Sequence, residues 1–410
     1  MASQTYPLEF FKAIPKTDLH VHLDGSVRIS TVIEIAKKDG LELPYYTVEE
    51  LREHVFKKHF ESLEDYLFCF KYTTMVMQSP ENLERVAYEF AVDNYEEGVR
   101  YFEVRFGPQL HARTEDGELD ICNVIRSVNR GLERATKEYN DKIEPPDEPG
   151  YKYGIIVSAL RFFTADFSEY FKSLINCHKH EPLSRIYGLA SMALVVAAVE
   201  VRNEGVPVVA LDIAGAELGY PASHHIDAYR FAHKKFLETT CHAGEGYGPK
   251  SIFQAVTDLH AHRIGHGYHL FSEEMVAPTE TFPDPKAFVK HIVQHVAQRR
   301  ITLEVCLSSN LGTMPGLKLE NHNMRRMLEE RISVTVCTDN RLVSNTTTVK
   351  ELCLASKTFK LSPKQLKDIV ITGFKRSFYN GPYTEKRAYV RKAMDYYDQI
   401  ASRYGVKPVQ

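Results

Sequence analysis

The sequence has no tryptophan and no excess of either charge. Lys and Arg number 51 against 54 Asp and Glu, so the formal net charge is −3. A protein that binds nucleic acid usually carries a basic patch, whereas the basic residues here are scattered along the chain. We therefore expect no nucleic-acid partner. The missing tryptophan excludes nothing, because 23 Tyr and 22 Phe supply large apolar side chains.

Cysteines are few, and long hydrophobic runs are absent. The seven cysteines are an odd number and form no C-x-x-C pair, which argues against a disulfide framework and a thiolate zinc finger. The N-terminus shows no basic region followed by an apolar stretch, so no secretory signal is visible. The longest apolar run, 188–199, is too short to cross a bilayer. These features predict a cytoplasmic protein with reduced thiols and no membrane contact.

Length and composition fit one large globular domain. Hydrophobic residues make up 43% of the 410 residues and charged residues 26%, which is ordinary for a compact protein. Barrels of the α/β class often exceed about 250 residues as one unit. We expect residues 1–410 to form a single domain. The sequence does not define an oligomeric state.

Short runs rich in β-branched residues alternate with longer stretches of helical spacing. This alternation predicts parallel strands joined by crossover helices. Eight strands are expected, over 17–23, 100–106, 154–160, 208–213, 239–243, 263–267, 302–307 and 333–338. Eight such units predict an α/β fold of the (β/α)₈ or TIM-barrel type.

Two regions carry more helix than a simple barrel needs. The segment from about 29 to 97 is too long for one crossover and contains helical patterns over 62–77 and 82–97. We therefore expect inserted helices between the first and second strands, as a cap over the barrel mouth. The pattern is again helical from about 346 to 403, which predicts C-terminal helices.

Polar residues gather at the predicted strand ends. His20 and His22 end the first strand, and the period of two places both imidazoles on one face, here the barrel interior. Strand five leads into His242 and Glu245, strand six ends with His266, and strand eight leads into Asp339 and Asn340. The carboxyl ends of barrel strands form the active-site face.

Three imidazoles and one carboxylate are a plausible zinc set that leaves a coordination position for water. Water held there would be acidified toward neutrality. The alternative is a group of core histidines with a helix-capping aspartate. It would have to explain polar groups at four strand ends at once, with His266 at the end of strand six included, although ionisable groups are seldom fully buried without a partner.

Five motifs resemble those of the adenosine deaminase family. They are HVHLDG at 20–25, DIAGAE at 212–217, HAGE at 242–245, RIGHG at 263–267 and TD at 338–339. The resemblance spans about 14–345, with the motifs in family order at the strand ends. It implies that one zinc ion per chain is held by a set of four residues: His20, His22, His242 and Asp339.

The resemblance also assigns roles around the substrate. It implies that Glu245 shuttles a proton and that His266 orients the attacking hydroxide. The backbone N–H of Gly215 would bond purine N3, and Asp24 would hold the ribose 5′-hydroxyl. His22 and Asn340 would also border the substrate, a purine nucleoside.

The implied reaction is hydrolytic deamination of adenosine and 2′-deoxyadenosine to inosine and 2′-deoxyinosine, with release of ammonia, in purine salvage. Water must add to C6 of the purine, and the charge that develops at N1 is neutralised if a carboxylic acid donates a proton there. Glu245 would be that acid. A second interpretation of Glu245 is an acceptor that orients a ligand histidine.

Two positions depart from the commoner family pattern. Asn340 stands where a second aspartate is frequent and would contact N7, and Ala216 stands where many relatives carry Asp. The alternatives left open are a deaminase of a related 6-aminopurine (adenine, AMP or an N6-substituted nucleotide) and a non-catalytic barrel that binds nucleosides.

Other chemistry-bearing residues have simpler interpretations. Glu103 and Arg105 share a strand face, which predicts a buried ion pair between them. Glu304 is expected to orient a ligand histidine, although Glu103 and Glu304 together keep a glycosidase hypothesis open. The cytidine-deaminase pattern is not met, because no C-x-x-C follows His59-Phe60-Glu61. The pairs His224/His225 and His260/His262 are expected to be structural or solvated.

Overall fold

Eight parallel strands form the barrel, as the sequence predicts. The computed structural model describes residues 6–57, 60, 63–113, 119–143, 146–280, 282–314 and 316–406. The strands are hydrogen-bonded in sequence order: β1 Lys16–His22, β2 Val99–Phe106, β3 Lys152–Leu160, β4 Val208–Ala214, β5 Glu238–Ala243, β6 Arg263–His266, β7 Thr302–Val305 and β8 Ser333–Val336. The predicted (β/α)₈ fold is confirmed, and each strand lies within about two residues of its predicted bounds.

The barrel closes between β8 and β1 at the carboxyl edge of both strands. Val21 and Asp339 form an isolated parallel bridge there. The N–H of Asp339 donates to the carbonyl of His20 (2.8 Å), and the N–H of His22 donates to the carbonyl of Asp339 (2.7 Å). Residues expected at the site therefore also complete the barrel.

Helices fill every connection between the strands. Five of them lie between β1 and β2: α2 Ile29–Asp39, α3 Val48–His54, α4 Leu63–Phe68, α5 Phe70–Thr74 and α6 Pro80–Glu96, after α1 Leu8–Ala13 at the N-terminus. The helical pattern over 62–77 is split at Cys69, and residues 61–62 lie outside the described part. The side-chain hydroxyl of Ser79 accepts from Asn82 N–H and, with Pro80 in the first turn, starts α6.

The remaining helices cover the outside of the barrel and the C-terminal part. They are α7 Ile121–Asn140, α8 Glu169–Cys177, α9 Leu183–Asn203, α10 Ile226–Lys234, α11 Pro249–Thr257, α12 Pro285–Arg299, α13 Leu307–Thr313, α14 Met324–Glu329, α15 Thr348–Phe359, α16 Pro363–Arg376 and α17 Tyr383–Arg403. Ser362 and Gln365 form a capping box at the start of α16.

The apolar run 188–199 belongs to a longer helix than the sequence suggests. By length and composition the 21-residue helix α9, whose most apolar part has a mean hydropathy of 1.5, could cross a membrane. The run 188–199 is itself short, as the sequence indicates, but the helix that contains it is long enough to span a bilayer. Half of its apolar stretch is buried inside the molecule, where Leu194 and Val195 lie in the core, so packing against the barrel also accounts for its composition.

An ion-pair network fills the barrel below the strand ends. Glu103 pairs with Arg263, not with Arg105, so the predicted Glu103–Arg105 pair is wrong. Arg105 instead contacts Asp212 (3.2 Å) and Glu304 (2.9 Å), and Arg263 contacts Glu304 (2.6 Å). Residues two apart on one strand point the same way, but their charges find partners across the barrel interior.

Candidate active site

Four side chains from three strand ends converge at the barrel mouth. His20 and His22 come from β1, His242 from β5, and Asp339 from the segment after β8. The Nε2 atoms of His22 and His242 are 3.1 Å apart, and Asp339 Oδ1 lies 3.4 Å from Nε2 of both His20 and His22. The structure thus brings together all four residues that the family resemblance implies as metal ligands.

Two buried carboxylates turn the lone pairs of two histidines toward this cluster. His20 Nδ1 donates to Glu304 Oε2 at 2.8 Å, and His242 Nδ1 lies 3.0 Å from Asp212 Oδ2. With a proton on Nδ1 facing each carboxylate, Nε2 is the ring nitrogen that faces the cluster and can offer its lone pair to a metal. As expected, Glu304 orients a histidine of the candidate ligand set.

The donor set fits a zinc ion. His20 Nε2 is buried and has no hydrogen-bond partner among the described residues. Zinc–nitrogen bonds of about 2.0–2.1 Å place the ligand atoms of a tetrahedral site about 3.3–3.4 Å apart. The separations of 3.1–3.4 Å within the cluster match that spacing. Three imidazoles and one carboxylate are also ligands that zinc prefers.

A second set of possible ligands overlaps the first. Cys306 and His266 lie close to His20 and Asp339 and could replace the other two histidines. Burial raises the pKa of the Cys306 thiol well above its usual range, which disfavours the thiolate that a metal needs. The His20, His22, His242 and Asp339 set is therefore the better candidate.

Two site residues have strained backbones. Asp339 has φ +60° and His266 has φ +63°, in the left-handed region that non-glycine residues seldom adopt. Such conformations cost of the order of 1 kcal/mol or more and persist only where the surroundings enforce them. Both side chains point into the mouth, so the strain is stored where it positions functional groups.

Glu245 lies on the loop after β5, beside His266. Its Oε2 is 3.5 Å from His266 Nε2. The loop is held by Glu217, whose carboxylate accepts the backbone N–H groups of Gly244, Glu245 and Gly246. Burial, followed by the negative charge of Asp339, raises the pKa of Glu245 to about 8. Much of it is then a neutral acid at pH 7.

Asp24 and Gly215 follow the carboxyl ends of two different strands, β1 and β4. Asp24 is buried in a short 3₁₀ turn directly after β1, with Oδ1 4.0 Å from His22 Nδ1 and 3.1 Å from the N–H of Gly25. Gly215 follows β4 with φ +97°, and a Cβ there would meet no atom closer than 3.9 Å. The backbone of Gly215 is thus open to close approach by a ligand.

Asn340 packs against the turn after β1. Its Nδ2 donates to the hydroxyl of Tyr66 at 2.8 Å, while Oδ1 is buried without a hydrogen-bond partner among the described residues. A Cβ on Gly25 would lie 1.8 Å from Asn340 Oδ1, so only glycine fits beside this amide. The hydroxyl of Tyr66 accepts one of the two Nδ2 hydrogens, which leaves the second hydrogen for another acceptor.

Three residues of the site have roles that sequence reasoning missed. Asp212 orients His242, Glu217 fixes the loop that carries Glu245, and Asn310 contacts His266. Asp212 and Glu217 lie in the DIAGAE motif, so the motif itself was the signal. Asn310 had none, because it lies on α13 and its partner ends β6, 44 residues away in the sequence.

The other charged clusters fall outside the mouth. Glu304 is ion-paired with Arg105 and Arg263, and although burial opposes its charge, these guanidiniums hold its pKa well below the usual range. Glu304 therefore cannot serve as the acid of a glycosidase. His225 bonds Ser191 and His262 pairs with Glu238. His59 and Glu61 of the weaker motif lie outside the described residues.

The fold and this cluster define a (β/α)₈ barrel hydrolase of the amidohydrolase type. The sequence model of the adenosine deaminase family matches residues 15–395. An adenosine deaminase of Clostridium perfringens is 34% identical over 376 residues, 91% of this chain and 96% of the relative. The chain therefore belongs to the adenosine deaminase family and is an enzyme.

Solved structures share the fold at lower identity. An amidohydrolase of Burkholderia ambifaria with bound Zn is 20% identical with a TM-score of 0.75, covering 99% of this chain and 96% of that one. An N6-mAMP deaminase of Arabidopsis is 24% identical with a TM-score of 0.70, covering 94% and 99%. Likeness at this level concerns the architecture.

Proposed function

We propose that the enzyme hydrolyses adenosine and 2′-deoxyadenosine to inosine and 2′-deoxyinosine and releases ammonia. The observation that carries this proposal is the placement of Glu245 and His266 beside the four-residue donor set at one barrel mouth. The relatives named adenosine deaminase, at 30–34% identity over most of the chain, support the same reaction.

One zinc ion per chain is part of the proposal. His20, His22, His242 and Asp339 would hold it, and the Zn in the Burkholderia ambifaria neighbour supports this choice of metal. Bound there, the ion would lower the pKa of a water molecule toward 7 and so supply the nucleophile.

The protein's own groups perform the proton chemistry. Glu245 in its neutral form can donate to N1 of the purine, so that no full negative charge builds up on the ring as water adds to C6. The resulting carboxylate can take a proton from the added oxygen and deliver it to the departing amino group. His266 lies beside Glu245 and can donate a hydrogen bond to the same oxygen.

The substrate interpretation rests on Asp24 and Gly215. A buried carboxyl group beside the 5′-position accepts the hydrogen bond of a hydroxyl and opposes a phosphate dianion. The backbone N–H of Gly215 would bond N3, and the edge of His22 would border the ribose. An N6-substituted AMP or adenine is the second candidate, because structural neighbours act on such compounds.

We also propose that the enzyme is cytoplasmic, which cell fractionation would test.

A substrate panel tests the proposal. Ammonia release should be measured with adenosine, 2′-deoxyadenosine, AMP, N6-methyl-AMP and adenine on zinc-loaded protein. Both nucleosides should react, AMP hardly at all, and adenine slowly, because it lacks the remote binding energy of the ribose. In an Asp24→Asn variant, the rate of ammonia release with adenosine should exceed the rate with AMP by a smaller factor than in wild type. Equal rates on AMP and adenosine would reject the nucleoside assignment.

A further inference from the structure

His266 is the inner end of a chain of buried side chains that leads away from the mouth. Asn310 on α13 and His322, just before α14, are 1% and 2% exposed, and His266 itself is 1% exposed. Neither Asn310 nor His322 touches the metal-ligand cluster through a hydrogen bond, yet both connect to His266. We refer to His322, Asn310 and His266 as the relay.

The direction of the hydrogen bonds is fixed at the outer end. The backbone N–H of Met324 donates to His322 Nδ1 at 3.0 Å. A backbone N–H can only donate, so Nδ1 of His322 must carry a lone pair. Burial lowers the pKa of His322 to about 4, so the ring is neutral and its proton resides on Nε2.

The same polarity passes through Asn310 to His266. His322 Nε2–H donates to Asn310 Oδ1 at 3.1 Å, which turns the amide nitrogen toward His266. Asn310 Nδ2 then donates to His266 Nδ1 at 3.3 Å. Nδ1 of His266 is therefore an acceptor, and the proton of the neutral ring lies on Nε2, the nitrogen that faces Glu245.

The side chain of Asn310 is not needed by its own helix. The backbone N–H of Asn310 donates to Cys306 O at 3.0 Å, and its carbonyl accepts from Met314 N–H at 3.1 Å. The amide is thus free to act on His266. The segment that carries His322 is also tied to the loop after β6, because Asn323 Nδ2 donates to Tyr268 O at 2.8 Å.

We propose that Asn310 and His322 are positioning residues that hold His266 as the Nε2–H tautomer, so that it offers a hydrogen-bond donor to the attacking oxygen. The inference rests on the proposed role of His266 in deamination. In the opposite tautomer Nε2 could only accept a hydrogen bond, so it could not stabilise charge on the attacking oxygen by donating one.

The tautomers can be observed directly. Long-range ¹H–¹⁵N NMR of the zinc-loaded protein, labelled with [¹⁵N]histidine, distinguishes protonated from unprotonated ring nitrogens. Resonances are assigned with His266→Asn and His322→Gln. Both His266 and His322 should show a protonated Nε2 and an unprotonated Nδ1. A protonated Nδ1 on either ring would overturn the proposal.

An isosteric change reverses the polarity of the relay. Asn310→Asp has no N–H to donate, so it should draw a proton onto Nδ1 of His266. We expect kcat to fall by about 10²-fold or more with KM changed far less, because binding contacts are untouched. Asn94→Asp is the matched control, since Asn94 is also fully buried but, among the described residues, its side chain bonds only Phe90 O of its own helix. Its kcat per folded molecule should stay normal.

A conservative variant tests rescue. Gln at 322 can accept from Met324 N–H through its oxygen and donate to Asn310 Oδ1 through its nitrogen, whereas Leu can do neither. His322→Gln should keep near-normal kcat and the Nε2–H signal of His266, and His322→Leu should lose both. Equal kcat in the Gln and Leu variants would overturn the relay.

Different measurements would reject the proposed function and the relay. The NMR pattern requires no substrate and is read on wild-type protein, so it decides the hydrogen-bond polarity even if Asn310→Asp does not fold. Wild-type protein that shows the expected tautomers but deaminates no 6-aminopurine would reject the proposed function alone. Normal kcat in Asn310→Asp, with Nδ1 of His266 protonated, would reject the relay alone.

Discussion

Asp212 holds His242 with its carboxylate 3.0 Å from Nδ1, and the same carboxylate is paired with Arg105 at 3.2 Å. The imidazole of His242 and the guanidinium of Arg105 keep the pKa of Asp212 below its usual range although burial opposes its charge. The buried ion-pair network and the candidate metal site are thus joined at one residue.

Replacing Asp212 should weaken metal binding. Asp212→Asn removes the charge that makes His242 a basic and well-oriented ligand, and loss of such a partner typically costs about 10–100-fold in metal affinity. Zinc affinity should be measured by competition with a chelator. Ser158→Ala is the control, because the uncharged hydroxyl of Ser158 donates a hydrogen bond to the same carboxylate at 3.2 Å. Equal losses in both variants would contradict a specific role of the carboxylate.

Glu245→Gln should retain zinc and fold but lose turnover. A general acid usually contributes about 10²–10⁴-fold, and the amide cannot deliver a proton to N1. Zinc content, circular dichroism and kcat for adenosine are the measurements. A near-normal rate would mean that Glu245 only supports the loop that Glu217 holds. Loss of zinc in the variant would make Glu245 part of the metal site.

We expect the side-chain amide of Asn340 to donate a hydrogen bond to N7 of the purine. An amide N–H donates to an unprotonated ring nitrogen, a hydrogen bond worth about 0.5–1.5 kcal/mol net. The 7-deaza analogue of adenosine should therefore bind more weakly than adenosine, and Asn340→Ala should erase the difference. Asn340 Nδ2 also donates to the hydroxyl of Tyr66. A variant at Tyr66 can therefore separate this contact from substrate binding.

Tyr66→Phe separates the two roles of the amide. It removes the protein partner of Asn340 but leaves the amide in place, so discrimination against the deaza analogue should persist. Inhibition constants for both compounds on wild type and the two variants decide the matter. Discrimination that is unchanged in Asn340→Ala would mean that the side chain serves only to bind Tyr66.

Acid should destabilise the protein through a buried histidine that is not part of the metal-ligand cluster. Burial, and then the charge of Arg161, lowers the pKa of His225 to about 3, while its Nδ1 lies 2.6 Å from Ser191 Oγ. The unfolded chain titrates near 6.5, so it binds the extra proton first. The stability that His225 contributes is present above pH 6.5 and is lost as the pH falls toward 3.

A comparison of wild type with a variant that lacks His225 measures the size of this effect. Between pH 7 and pH 5 one such histidine should cost about 2 kcal/mol in the free energy of unfolding. His225→Gln removes the titration, so its urea midpoint should shift less with pH than that of wild type. Identical shifts would show that His225 is protonated in the folded protein.

Much of the fold and site follows from the sequence, for physical reasons. Strand bounds were predictable because buried parallel strands are short apolar runs, and His20 and His22 were found because a period of two puts them on one face. The motif positions then supplied His242, Glu245, His266 and Asp339.

Side-chain partners across the barrel were not predictable. Glu103 and Arg105 share a face, but the position of β2 in the barrel brings Glu103 into an ion pair with Arg263. The break at Cys69 likewise depends on packing, since its Sγ lies 3.1 Å from Val55 O. The polarity of the relay required the contact of Asn310 with His266, which joins residues 44 apart.

Titrating zinc into metal-stripped protein while following adenosine conversion to inosine tests the central claim most directly. The four-residue donor set predicts no activity without metal, a linear rise, and a plateau at one zinc per chain. His242→Ala should give no such rise. Activity that survives stripping, or a plateau at two zinc ions per chain, would contradict a single zinc site that deaminates adenosine.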